Sequence, residues 1–280
     1  VSLSHKVRMQ RIFQPDGRCF QVAADHGLFN EYALLQGVEQ LERVIDLAVA
    51  ARADALLLSP GQARRLQERH LPQKPALILR ADVTNLYDPR RPDYGYSELL
   101  DPHLEQALKL DAAGVVLNLL LAPDNPAVHH QSVRNIASLR EVCERYGMPL
   151  MVEPLVLKAG RDGSGYEVVG DFEAAVALHR QAVELGVDII KADPTDNLDR
   201  YHELVRLTDP IPLLPRGGGR VDDEEILRRT WRMLQAGARG VVYGRNIFQH
   251  PRFDRMAEAV RTLVHEHADM DAVLGILRRS

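Results

Sequence analysis

Eight short apolar runs recur along this chain, each followed by a longer amphipathic stretch, and that alternation narrows the accessible folds more than any other feature. Short apolar runs separated by helical patterns predict parallel strands joined by crossover helices. The strands read as Phe20–Ala24, Ala55–Leu58, Ala76–Arg80, Gly114–Leu120, Leu150–Val152, Val187–Lys191, Ile211–Leu214 and Gly240–Tyr243. The helices include Val38–Ala51, Leu99–Asp111, Val133–Tyr146, Asp171–Leu185, Leu198–Arg206, Asp223–Ala236 and Arg252–Glu266, with Met270–Leu277 adding a terminal one. Several stop at glycine (Gly147, Gly186, Gly237), the residue that best adopts a helix-ending turn. Eight strands with helices between them predict a closed (β/α)8 TIM barrel, typically ~250 residues. At 280 residues, with no low-complexity linker, the chain fits one barrel domain. Residues 1–18 form a short N-terminal extension in this reading, and about 268–280 a C-terminal helical tail.

Composition removes several function classes. A formal charge of −4 with no basic block argues against a nucleic-acid partner. No apolar run approaches the ~20 residues of a membrane span, and the stretch from Val1 to Arg8 has no apolar signal core. Cys19 and Cys143 lie far apart and suggest neither a disulfide framework nor a metal knuckle. The expectation is a soluble cytoplasmic protein.

In such barrels chemistry sits at the C-terminal ends of the strands. That rule selects Asp25-His26-Gly27 after the first strand, Arg80 and Asp82 after the third, Glu153 after the fifth and Lys191 and Asp193 after the sixth. It selects Arg216 to Gly219 after the seventh and Gly244-Arg245 after the eighth, while the fourth offers little but Asn118.

Lys191 is the most informative of these. Burial at the end of a core strand disfavours an ammonium, and a neutral amine is the nucleophile of Schiff-base chemistry. Only five of the 35 basic residues are lysines, so the chain uses arginine almost wherever a surface cation suffices. The competing reading is a lysine snorkelling to solvent.

Asp25 is placed to hold that ammonium or relay a proton, unless it is a helix cap or turn residue. Glu153, fixed by Pro154, is a candidate acid/base; the alternative is a structural ion pair with an arginine. His26 reads as part of a hydrogen-bond network. Gly217, Gly218 and Gly219, then Gly244 and Arg245, occupy the two loops where barrel enzymes bind phosphate, although either loop alone is also an ordinary turn. The histidines at 129–130 and at 265 and 267, in a loop and a terminal helix, do not form a catalytic zinc set. Arg90-Arg91 and Tyr94-Gly95-Tyr96 read as a solvated loop, with a lid or subunit contact as the alternative.

These pieces resemble the class I aldolases of the archaeal-type fructose-bisphosphate aldolase family, with its tagatose-bisphosphate and sulfosugar-phosphate aldolase and autoinducer-2-phosphate thiolase relatives. The resemblance rests on Ala-Asp-His-Gly (24–27), the run from Ala53 to Gly61, Asp-Ile-Ile-Lys (188–191) followed by Ala-Asp-Pro, Gly217-Gly218, and the run from Gly237 to Gln249, across about residues 10–265. It implies a (β/α) barrel, a Schiff base on Lys191, a substrate-side Asp25, and a phosphate site from Gly217, Gly218, Gly244 and Arg245. The fructose-bisphosphate branch has a tyrosine acid/base after strand five; this chain has Glu153-Pro154-Leu155, like the tagatose and sulfosugar branch. That branch carries a lysine on strand four, where this chain offers Val116 or Asn118.

The expected activity is a class I aldolase, reversibly cleaving a phosphorylated ketose into dihydroxyacetone phosphate and an aldehyde. Lys191, Asp25 and Glu153 are its catalytic residues, with no metal or organic cofactor. The expected partners are a small-molecule sugar phosphate and further copies of the chain in a homo-oligomer. The alternatives are an imine-dependent thiolase or transaldolase-type synthase on a phosphorylated ketone, and, from a different class, a non-catalytic sugar-phosphate sensor.

Overall fold

The computed structural model describes the whole chain apart from residues 30–31, 89, 91–93, 161–164 and 279–280. Eight parallel strands carry the fold: β1 (Cys19–Ala23), β2 (Ala55–Leu58), β3 (Ala76–Arg80), β4 (Gly114–Leu121), β5 (Leu150–Ala159), β6 (Ile189–Ala192), β7 (Leu213–Pro215) and β8 (Gly240–Tyr243). They pair in the order β7-β6-β5-β4-β3-β2-β1-β8. A single parallel bridge between Arg216 and Val242 joins the two ends and closes the ring. The chain therefore forms the expected TIM barrel.

Alternation along each strand explains why the strands read as continuous apolar runs. Leu57, Ile78, Val116, Met151, Ile189, Leu214 and Val242 point inward and fill the barrel. Leu56, Leu77, Val115, Val152 and Ile190 point outward and pack beneath the helices. Both faces are buried, so neither needs polar residues until the strand ends.

A helix packs outside each strand: Leu41–Ala50, Pro60–Gln67, Glu105–Lys109, Pro126–Tyr146, Phe172–Glu184, Tyr201–Thr208, Asp223–Gln235 and Phe253–His265, the last preceded by the short helix Arg245–Phe248. Asp171 and Asp222 cap two of them, accepting from Ala174 N and Glu225 N at 2.9 Å each. No helix among the described residues is long and apolar enough to cross a membrane.

Several boundaries differ from the sequence reading. β5 runs on through Pro154 to Ala159 and pairs with an antiparallel strand, Tyr166–Val168. It continues because β4 runs beside it in register from Val115↔Leu150 to Leu121↔Val156. The helix expected over Leu99–Asp111 shrinks to Glu105–Lys109, since Ser97–Leu99 pairs instead with Asp82–Thr84. His129 and His130 lie in the helix Pro126–Tyr146, not in a loop. Three α-helices escaped the reading, Leu3–Ile12, Pro60–Gln67 and the short Arg245–Phe248. The first sends Ile12 into the bottom of the barrel beside Cys19.

The bottom is also tied by a charged clamp. His265, ending the helix Phe253–His265, reaches Asp16 at 2.7 Å and Asp54 at 2.9 Å. Asp54 in turn accepts from Phe20 N at 2.6 Å, fixing the entry to β1.

Candidate active site

The upper ends of the strands converge on one cleft, whose lining includes Asp25, His26, Arg80, Glu153, Lys191, Gly217, Gly218, Gly244 and Arg245. The candidate residues are thus brought together, and Arg80, Arg216, Phe29 and Tyr87 join them.

Lys191 does not snorkel to solvent: its side chain is 8% exposed. Its Nζ donates to Glu153 Oε2 at 2.9 Å, so the partner of the ammonium is Glu153 rather than Asp25. Asp25 is instead held by Arg80, whose Nε donates to Asp25 Oδ2 at 2.7 Å. The same guanidinium donates to Asp82 Oδ1 at 3.2 Å and to Glu153 Oε2 at 3.0 Å. Arg80 therefore ties together carboxylates from three parts of the barrel mouth, and its side chain is only 1% exposed. A guanidinium serves here because its donors fan out in a fixed plane and it stays charged when buried. Asp82 Oδ2 completes the arrangement by accepting from Asn118 N at 2.8 Å and Asn118 Nδ2 at 3.1 Å.

Electrostatics sorts the titratable groups. Burial would raise the Glu153 carboxyl, but Lys191, Arg80 and Arg216 outweigh it and hold it below the usual range. Burial likewise opposes the ionised form of Asp25, and Arg80 and then Lys191 prevail. Both carboxylates are ionised at neutral pH. Asp82 goes the other way: burial dominates over Arg80 and Asn118, and its carboxyl is raised. Glu153 spends Oε2 on both cations, while Oε1 has no hydrogen-bond partner among the described residues.

His26 departs from the expected network. Its Nδ1 is buried without a partner. Burial, reinforced by Lys191 and Arg245 and only partly offset by Asp25, lowers it to about 4, so the ring is neutral at pH 7. Its ring lies directly over Gly244, where an added Cβ would come within 2.7 Å of His26 Cε1; only glycine permits that approach.

The two glycine loops face each other across the β7–β8 seam. Arg245 donates to Gly218 O at 3.1 Å, and Asn246 Nδ2 to Gly217 O at 3.1 Å. Arg216 is paired with Asp193, with Nε to Oδ1 at 2.6 Å. The helix after Gly219 does not offer a free N-terminus, because Asp222 caps it and Asp223, Glu224 and Glu225 fill its first turn.

Tyr87 and Phe29 also line the cleft, with ring centroids 4.8 Å apart and planes tilted by 58°. The Arg80 guanidinium lies 5.5 Å from the centre of the Phe29 ring. Burial, and then the Glu153 charge, push the Tyr87 phenol well up, so it keeps its proton. Nothing in the residue pattern marked Tyr87 or Phe29, which lie in loops without periodicity. Arg80 did carry a signal, a cation closing the apolar run Ala-Leu-Ile-Leu. Of the loop expected to be solvated, Tyr94 is exposed, whereas Arg91 lies outside the described residues. Among the described residues no group of histidine, cysteine and carboxylate side chains is arranged to hold a metal.

Comparison with known proteins identifies the family and the fold. The model of the DeoC/LacD family aldolases matches residues 19–250. An uncharacterized aldolase of Saccharolobus solfataricus is 31% identical over 99% of this chain and 100% of its own length. The 3-hydroxy-5-phosphonooxypentane-2,4-dione thiolase of Klebsiella pneumoniae is 32% identical, over 93% of this chain and 81% of the thiolase. Among solved structures, a Schiff-base-forming fructose-1,6-bisphosphate aldolase superposes with a TM-score of 0.77 at 24% identity, covering 93% of this chain and 100% of the other. An archaeal fructose-1,6-bisphosphate aldolase, solved with its catalytic lysine bound to the carbinolamine intermediate, gives a TM-score of 0.76 at 23% identity over 93% and 99%.

Proposed function

The chain belongs to the DeoC/LacD family of aldolases, and from that premise we propose that it is a class I aldolase, cleaving a phosphorylated ketose reversibly into dihydroxyacetone phosphate and an aldehyde through a Schiff base on Lys191. The observation that carries the reading is Lys191 Nζ at 2.9 Å from Glu153 Oε2, inside the cleft that both glycine loops also line.

The neutral form of Lys191 attacks the substrate carbonyl, and the carbinolamine loses water with Asp25 assisting. The iminium then draws in the electron pair of the C3–C4 bond and becomes an enamine. The C4 hydroxyl gives its proton to Glu153 Oε1 as the aldehyde leaves. That proton returns to C3 of the enamine, and water releases the triose phosphate from Lys191. Glu153 suits this role because it enters the cycle ionised and has an uncommitted oxygen. Gly217, Gly218, Gly244 and Arg245 hold the phosphate. The cycle requires no metal or organic cofactor. A cytoplasmic setting accords with two buried, unpaired thiols, Cys19 and Cys143.

One observation favours a second reading, an imine-dependent thiolase on a phosphorylated ketone: the 32% identical relative is named as a thiolase of a phosphorylated dione. A requirement for a thiol acceptor separates the two. The test of the shared chemistry is borohydride added with dihydroxyacetone phosphate, followed by mass spectrometry of the peptides. The adduct is expected on Lys191. Label on another lysine, or activity surviving in Lys191→Ala, sinks the mechanism.

A further inference from the structure

Arg80 touches both acid/base groups of the proposed cycle. Each of its three guanidinium nitrogens serves a different carboxylate: Nε donates to Asp25 at 2.7 Å, Nη2 to Glu153 at 3.0 Å and Nη1 to Asp82 at 3.2 Å. The acids come from separate stretches of chain. Asp25 follows β1, Asp82 opens the strand Asp82–Thr84, and Glu153 sits within β5. An ammonium could not hold them in this way, because it is a compact point charge without a planar fork.

The guanidinium is itself held in place. Arg80 closes β3 in register with Val116 of β4. Its third partner, Asp82, is anchored from β4 by Asn118 N and Nδ2 at 2.8 and 3.1 Å. The Phe29 ring lies 5.5 Å from the guanidinium carbon. At Glu153, Arg80 and Lys191 both take Oε2, so the two cations together decide which carboxylate oxygen is committed and which is free. Arg216 also acts on Glu153, and the Glu153 charge acts in turn on His26 and Tyr87.

We infer that Arg80 is the positioning residue of the cycle: it fixes Asp25 and Glu153 relative to one another beside Lys191 and holds Glu153 by Oε2, leaving Oε1 to move the proton. This role rests on the aldolase reading, in which Glu153 is the acid/base.

Dihydroxyacetone phosphate alone supplies a readout in the full-length protein. Its iminium on Lys191 loses a proton from the hydroxymethyl carbon to Glu153 Oε1, leaving the enamine. That proton exchanges with solvent deuterium, and a deuteron returns to the same carbon. Proton NMR in deuterium oxide follows the exchange at saturating substrate. Carbon-13 NMR of protein labelled at the glutamate δ-carbons, with Glu153 assigned by its loss in Glu153→Gln, reads that carboxyl separately from His26, which titrates at about 4. Arg80→Met removes both the charge and the fork; Arg80→Lys keeps the charge and loses the fork. In Arg80→Met the Glu153 titration should move up by about one pH unit, the shift expected when a paired cation is withdrawn. In Arg80→Lys it should stay near the native position, while exchange slows roughly ten- to a hundredfold in both variants, as misplacing a reacting group by ~1 Å does.

Native exchange rates in Arg80→Lys overturn the positioning role, because charge alone then suffices. An unmoved Glu153 titration in Arg80→Met overturns the hold on Glu153. Should Arg80→Met not fold, Arg80→Lys decides alone. Absence of a borohydride adduct on Lys191 in the native protein defeats the aldolase reading itself, and this role with it. An adduct without exchange in the native protein leaves the Schiff base standing and overturns the role of Arg80, since there is then no proton transfer to position.

Discussion

Replacing Glu153 by Gln separates the two halves of the proposed cycle. The substitution keeps the shape and removes the charge at the point where Lys191 and Arg80 converge, 2.9 and 3.0 Å away. Hydrogen bonds to charged groups are worth ~1.5–3 kcal/mol and neutral ones ~0.5–1.5. Downgrading two of them should cost roughly 2–3 kcal/mol of stability, tempered because Arg80 retains Asp25 and Asp82. For a chain of this size that lowers Tm by roughly 4–10 °C. The catalytic effect should be larger. Positioned proton transfer contributes ~10²–10⁴-fold, or about 3–5 kcal/mol of activation free energy. Steady-state kcat on a cleavable ketose phosphate should fall by that factor, while borohydride still traps Lys191, because the imine precedes C–C cleavage. Circular dichroism checks that the variant is folded. A kcat within threefold of native would show Glu153 to be a structural carboxylate and refute the assignment. Loss of trapping would place Glu153 in imine formation and leave Asp25 as the group that serves bond cleavage.

Two further outcomes follow from the same structure. Arg245→Ala should lower kcat/KM for a phosphorylated substrate roughly ten- to a hundredfold, from a charge-assisted contact of ~1.5–3 kcal/mol, and affect the dephosphorylated analogue far less; equal losses would remove the phosphate from this loop. At the barrel bottom, burial opposes the charged form of His265, but its bonds to Asp54 and Asp16 outweigh it and raise its pKa. The clamp's stabilisation is then complete below the unfolded value of ~6.5 and is lost as pH rises through the higher folded value. Urea melts of native and His265→Gln protein should differ most near pH 6 and converge at alkaline pH; a gap that widens with pH would contradict the clamp.

Residue order alone reaches far into this fold, and its failures have physical causes. Strands such as Ala76–Arg80 are legible because a parallel barrel buries both strand faces, leaving runs of aliphatic residues. The helix Pro60–Gln67 was missed because only Gln62, Ala63 and Leu66 of its eight residues are buried, too short a stripe to read. Its signal was local: Ser59 and Gln62 form a capping box around Pro60. The helix Leu3–Ile12 buries Ile12 alone and shows no stripe either. β5 was read as ending at Val152, yet it runs on paired to its neighbour β4, a tertiary fact. Within the site, positions at strand ends were legible but pairings were not. Lys191 and Glu153 are 38 residues apart, and Arg80 and Glu153 are 73 apart. Which acid meets which cation depends on barrel register, and so Asp25 was expected beside the lysine that Glu153 in fact holds.

The barrel's seam has a consequence for thermodynamics. β7 and β8 meet through one bridge, Arg216 to Val242, whereas β1 and β8 are held in register at four positions. Strand pairing is thus sparsest where β7 leads into Gly217 and Gly218, and β8 into Gly244 and Arg245, and there Arg245 and Asn246 side chains bond the Gly218 and Gly217 carbonyls. A ligand gripping both loops spans that sparsely paired joint as a clasp. Anything bound there is bound by the closed ring and not by an opened one, so it stabilises the fold by RT ln(1 + [L]/Kd). At a hundredfold excess over Kd that amounts to ~2.7 kcal/mol. The amides of β7 and β8 should then exchange with deuterium more slowly on binding than those of β2 and β3, making the seam itself a reporter of occupancy.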